Sequence, residues 1–155
     1  MADRLGIVHV EVDRVHAERG ITLSGRPLLR EDWIEAYRRS YRRLEQVLRA
    51  GHSGVFDATS YRRVQRQRLR RLADACGVPM TVIYLDVAAA EARRRIDANR
   101  VNSVRVNVPD EDFATVANQL QPPGEDEDWL RYDPAIPVDQ WVDQVLAPFA
   151  QEQNS

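Results

Sequence analysis

The sequence predicts an α/β fold built on a mainly parallel sheet. Helical and strand patterns alternate along the chain, which is the signature of that class. The most continuous apolar run, Met80-Thr81-Val82-Ile83-Tyr84-Leu85, lacks polar alternation and reads as a strand buried on both faces, as in a parallel sheet. The short apolar runs that precede it end in carboxylates, at Asp13 and Asp57. Open α/β sheets bind their ligands at such strand ends.

Each element follows from local pattern. Gly6 to Val12 is short and β-branched, so it reads as a strand ending at Asp13. A glycine-punctuated loop runs from Gly20 to Arg30. Trp33, Tyr37, Tyr41, Leu44 and Leu48 then recur at steps of three or four, one face of a long helix that stops near Gly51. Val55-Phe56 is a brief strand closed by Asp57. Tyr61, Val64, Leu69, Leu72 and Cys76 form a second helical stripe closed by Gly77. Beyond the Met80 strand lies an Ala- and Arg-rich helix from Val87 to Asn99. The polar segment Arg100 to Pro109 leads to a helix carrying Phe113, Val116 and Leu120. Pro122-Pro123 and the acidic Glu125 to Asp128 break the chain before a last strand, Trp129 to Tyr132. Pro137 sits at the first turn of a closing helix. Residues 1–150 read as one domain, with 151–155 as a frayed tail.

Composition bounds the function. The 155 residues are 43% hydrophobic and 30% charged, ordinary for a soluble globular protein large enough to bury a core. A formal net charge of −2 argues against bulk electrostatic binding of nucleic acid. No stretch approaches the roughly 18 apolar residues of a membrane span. The N-terminus lacks the apolar core of a signal peptide. The single Cys76 fits a reducing cytoplasm, where a lone thiol is packing.

Val55-Phe56-Asp57-Ala58-Thr59 has the shape of a strand whose acid supports Mg²⁺ directly or through water. An apolar run ending in Asp is also a common helix cap. Arg93, Arg94 and Arg95 suit the wet face of a helix, with Arg93 and Asp97 at pairing distance in sequence. Arg38-Arg39, Arg42-Arg43 and Arg66 to Arg71 read as solvated. His9 alternates within a strand and His52 sits in a turn, neither with the neighbours of a metal site. Trp33, Trp129 and Trp141 read as core anchors.

Taken in order, several segments resemble bacterial kinases of the P-loop class related to polynucleotide kinase and zeta toxin. They are Asp13-Arg14-Val15-His16-Ala17-Glu18-Arg19-Gly20, Phe56-Asp57-Ala58-Thr59 followed by Arg62-Arg63, Tyr84-Leu85-Asp86, Asn99-Arg100, and Gln121 to Glu127. The resemblance covers nearly the whole chain. It implies a three-layer P-loop NTPase-like sheet with helices on both faces. It implies ATP and Mg²⁺ as cofactors, and a nucleotide plus a small-molecule or polynucleotide hydroxyl acceptor as partners. Nucleic acid would enter only as substrate. Asp13 matches the general base for the acceptor hydroxyl. His16 stands where many relatives keep an arginine that contacts substrate. Asp57 and Thr59 match the residues beside metal and phosphates, Asp57 reaching Mg²⁺ indirectly. Arg63, Arg95, Arg100 and Arg105 match phosphate-contacting positions, the last two within the lid, where guanidinium forks suit phosphate oxygens.

One departure weighs heavily. The chain contains no lysine, so it lacks the glycine-rich loop ending in Gly-Lys-Ser/Thr that holds ATP phosphates in this class. The expected strand order is two-three-one-four-five, with the loop following strand one. This sequence supplies the equivalents of strands two to five, leaving the central strand and the phosphate loop absent. Strands flanking such a slot should lie about 10 Å apart, whereas direct pairing would bring them to about 4.8 Å. Three outcomes are open: an upstream start, a closed slot, or a strand donated by another chain. Two functions follow: a phosphotransferase lineage inactive as this chain stands, or a non-catalytic kinase-like interaction module.

Overall fold

The computed structural model describes residues 6–21, 28–102 and 108–147. Its four strands form two parallel two-stranded sheets. β1 (Val8–Glu11) pairs with β2 (Gly54–Asp57), setting Val10 opposite Phe56 and Glu11 opposite Asp57. β3 (Val82–Leu85) pairs with β4 (Trp129–Tyr132), Val82 opposite Trp129 and Leu85 opposite Tyr132. These are the two flanking pairs of the expected strand order. Tertiary contacts divide the chain into two compact units, one holding each sheet.

In the first unit, β1 ends one residue earlier than its β-branched run suggests. Val12 opens helix α1 (Val12–Glu18), so Asp13 lies in a first helical turn rather than at a strand end. Burial decides this. Val12, Val15 and His16 fall at helical spacing and are all buried, whereas a strand would send alternate residues to opposite faces. Val12 and Val15 share a core with Ala36, against which Tyr37, Phe56 and Ala58 pack. Gly20, at φ 70°, closes α1, and the Ile21 N–H reaches back to the His16 carbonyl at 3.0 Å.

Helix α2 (Arg30–Arg49) follows the predicted stripe. The Asp32 carboxylate caps its start by accepting the Leu29 N–H at 3.0 Å. Tyr37 and Tyr41 are 6.0 Å apart between ring centres, and Tyr41 stacks on Phe56 of β2 at 5.1 Å. That contact seats the helix on the sheet. Gly54 allows the close approach, since a Cβ there would fall 2.8 Å from Leu44 Cδ1. Trp33 departs from its expected role as a core anchor and is 37% exposed.

Helix α3 (Arg63–Cys76) starts in the second unit and finishes in the first. The second unit also holds α4 (Ala89–Asn102), α5 (Asp110–Gln119) and α6 (Val138–Trp141), the last continuing as a π-helical turn, Val142–Leu146. Trp141 is the buried anchor the sequence predicts. Its indole N–H donates to the Arg131 carbonyl at 3.2 Å, and the Tyr132 ring meets it edge-on at 5.4 Å. Trp129 is instead partly exposed. Among the described residues no helix is long and apolar enough to cross a membrane.

Arg66 corrects another expectation. Rather than lying solvated, it is 4% exposed. Its Nε and Nη2 form a two-pronged bond to Glu127 at 2.8 and 2.9 Å. Its Nη1 donates to the carbonyls of Ser60 at 3.2 Å and Gln121 at 2.8 Å. Glu127 also accepts the Gly124 N–H at 3.1 Å. A buried charge is tolerated when paired and fully hydrogen-bonded, and this one is.

Arg66→Ala should therefore destabilise the chain by about 3 kcal/mol, since it leaves the largely covered Glu127 carboxylate, 11% exposed, without its cation. The Arg66 guanidinium holds the Glu127 carboxyl down at about 2, against 4.5 when unpaired. The folded value is the lower one, so the stabilisation is complete above about 4.5 and disappears as pH falls towards about 2. Urea denaturation across that acid range should show the slope in wild type and its reduction in Arg66→Ala.

Candidate functional site

The expected residues fall into two groups, one per unit. In the first unit, Asp57 closes β2 and is exposed. It accepts a hydrogen bond from His9 Nε2 at 3.0 Å. The parallel register explains the meeting. His9 pairs with Val55, two residues before Asp57, so His9 and Asp57 project from the same face of the sheet. His9 was absent from the sequence-derived site because only strand pairing joins residues this far apart in the chain. Thr59 lies two residues beyond Asp57.

Asp13 and His16 sit one turn apart on α1. His16 is fully buried, and among the described residues neither ring nitrogen has a hydrogen-bond partner. Trp33 packs edge-on against it, with ring centres 4.7 Å apart. Arg19 and Asp32 form an ion pair at 3.6 Å. Burial pushes the imidazole below its usual 6.5, the Asp13 and Asp32 carboxylates oppose that shift, and Arg19 adds to it. His16 is thus held neutral, with one donor and one acceptor nitrogen.

The second unit holds the arginines. Arg63, at the start of α3, pairs with Asp126, and Arg62 donates to Gln119. Arg95 pairs with Glu91 one turn back at 2.7 Å, as does Arg94 at the same distance. The two guanidinium groups, Arg94 foremost, hold the Glu91 carboxyl down at about 2. This is the wet helix face expected for Arg94 and Arg95. Arg93 makes its expected pair with Asp97 at 3.3 Å and also reaches out of α4 to Asp110 of α5 at 2.9 Å. Arg100 pairs with Asp97 at 3.3 Å, donates to the Val108 carbonyl at 3.0 Å, and also contacts Asp110. Arg105 and the 151–155 tail lie outside the described residues.

The donor set fits a nucleotide only in part. Arginine forks are present, and Asp57 offers one carboxylate. Among the described residues no three His, Cys, Asp or Glu side chains gather as a metal site. No lysine exists to reach a phosphate chain.

A family model described as an AAA domain matches residues 1–123. A sugar kinase from Janibacter sp. HTCC2649 is similar in structure at TM-score 0.62 and 22% identity, over 96% of this chain and 83% of that one. A gluconokinase from Sinorhizobium meliloti 1021 matches at TM-score 0.64 and 19% identity, over 99% and 82%. A candidate kinase from Chloroflexus aurantiacus J-10-fl gives TM-score 0.70 at 16% identity, over 98% and 86%. No curated protein matches the sequence.

His16 makes the first unit sensitive to mild acid. Its folded pKa is below the ordinary 6.5, so stability is full above about 6.5 and falls as pH drops below it, where the unfolded chain takes up the proton first. His16→Phe should flatten this dependence between about pH 5 and pH 7.5, as read by urea denaturation at each pH.

Proposed function

The chain belongs to the AAA-domain family, of P-loop kinase type, and from that premise we propose that it is a phosphotransferase-lineage domain whose own residues bind a small polyhydroxylated acceptor. The observation that carries this reading is His16. A buried neutral imidazole whose two nitrogens have no partner among the described residues, one turn from Asp13 and packed on a partly exposed Trp33, suits hydroxyl groups presented by a sugar or sugar acid. The named activities of two structural neighbours, a sugar kinase and a gluconokinase, support the same acceptor class.

Roles follow from chemistry. Asp13 serves as the base for the acceptor hydroxyl, and His16 orients that acceptor. Asp57, hydrogen-bonded by His9 at 3.0 Å, takes the metal-supporting role, with Thr59 two residues further along the chain. The resemblance gives Arg63, Arg95, Arg100 and Arg105 the phosphate-contacting roles. ATP and Mg²⁺ are the cofactors of the lineage. The lysine-free sequence does not supply their phosphate loop, so these residues alone do not complete an ATP site, and phosphoryl transfer is not assigned to the chain as it stands. The protein works in the cytoplasm in this reading.

Thermal unfolding of the whole chain with a panel of sugars and sugar acids tests the proposal. One acceptor should raise the melting temperature, and MgATP should not, because a ligand that binds the native state must stabilise it. His16→Phe should weaken acceptor binding roughly tenfold or more while leaving the unliganded protein at least as stable, since the apolar ring has no unsatisfied nitrogen. Failure of every acceptor would overturn the acceptor reading. A MgATP shift that persists in Arg93→Gln would overturn the inactive one.

A further inference from the structure

Four side chains in the second unit close a ring of alternating charge. Arg93 Nε meets Asp97 at 3.3 Å, and Asp97 meets Arg100 Nη1 at 3.3 Å. Arg100 Nη2 and Arg93 Nη1 then converge on a single oxygen, Asp110 Oδ1, the latter at 2.9 Å. The two carboxylates play different parts. Asp97 lies on α4 with both arginines, four residues from one and three from the other, so helix geometry fixes it between them. Asp110 comes from α5 and occupies the point where both forks are aimed. The Arg93 guanidinium also lies 5.6 Å above the Phe113 ring, one turn further along α5, which restricts where that fork can point.

Two guanidinium groups directed at one oxygen make the arrangement that a phosphate oxygen takes. We propose that Asp110 occupies the phosphate-contacting position already given to Arg100, with Arg93 as a second guanidinium at that position, and that it acts as an internal competitor until a phosphate-bearing ligand displaces it. The exchange is chemically even: one oxyanion leaves the forks and another enters, with no proton transferred. It is also inexpensive, because every member of the ring is at least one-third exposed and exposed ion pairs are weak. The inference rests on the phosphotransferase reading for the identity of the anion. The geometry belongs to α4 and α5 alone.

Inorganic pyrophosphate is the probe, titrated calorimetrically into the whole chain. Asp110→Asn should raise its affinity roughly threefold to tenfold, the size of removing one or two exposed pairs. Glu111→Gln makes the same charge change on the same turn and should leave affinity unchanged. Adding Arg93→Gln to Asp110→Asn should abolish the gain. Asp110→Ser, with its own favourable side chain for a helix start, should repeat the result if the Asn variant unfolds. No gain in either Asp110 variant, an equal gain in Glu111→Gln, or no pyrophosphate binding by any variant overturns the proposal. Sugar binding without the Asp110 effect would remove this inference and spare the acceptor reading. The Asp110 effect without sugar binding would do the reverse.

Discussion

The second unit depends on the buried Arg66 guanidinium. Its bonds gather three separate stretches of backbone: the Ser60 carbonyl ahead of α3, the Gln121 carbonyl after α5, and Glu127 just before β4. The chain between Gln121 and Glu127 is rich in proline and acid and has no regular ladder to satisfy its carbonyls. Arg66 does that work from one point. The consequence passes directly into the sheet, because the Asp128 carbonyl accepts the Val82 N–H at 2.8 Å and so fixes where β4 meets β3. Trp141 then ties α6 back to the carbonyl of Arg131 in the middle of β4. Loss of one planar, bidentate cation would therefore loosen a loop, a strand register and a helix contact in sequence.

The remaining charge is spent differently. Helix α4 has no fully buried residue, and the Glu91, Asp97 and Asp110 pairings run along it. Exposed pairs of this kind contribute little each. Helix α4 thus belongs to the low-stability end of the molecule, which is where ligand-responsive elements are drawn from. The first unit is the opposite case, with an apolar core of Val12, Val15 and Ala36 beneath an aromatic row on α2.

Much of the architecture was legible because periodicity is local. The three-and-four spacing of Trp33, Tyr37, Tyr41 and Leu44 located α2, and the unbroken run before Leu85 located β3. What was illegible depended on partners remote in sequence. Arg66 has the same neighbours as its solvated siblings in an arginine-rich helix, and nothing nearby marks it as the one that meets Glu127. His9 looked like an ordinary alternating strand residue until β2 brought Asp57 beside it. Arg93 differed from Arg94 and Arg95 by reaching Asp110 and Phe113, on another helix. The boundary at Val12 failed for a related reason: β-branched residues favour a strand, but burial of Val12 with Val15 and His16 outweighed that preference. Asp13 and His16 come one turn apart only because the chain is helical there; in the strand-and-loop reading, three residues of extended chain would have separated them.

Every cation in the ring on α4 and α5, and in the clasp beneath β4, is an arginine, as are all 22 basic residues counted with lysine. Guanidinium keeps its proton through any alkalinity a folded protein survives. These contacts consequently have no basic limb to their titration. Raising the pH does not discharge them, and reagents that consume primary amines find no side chain to modify. The network can be dissolved from its acidic half, by protonation, or by a competing oxyanion, and from neither other direction.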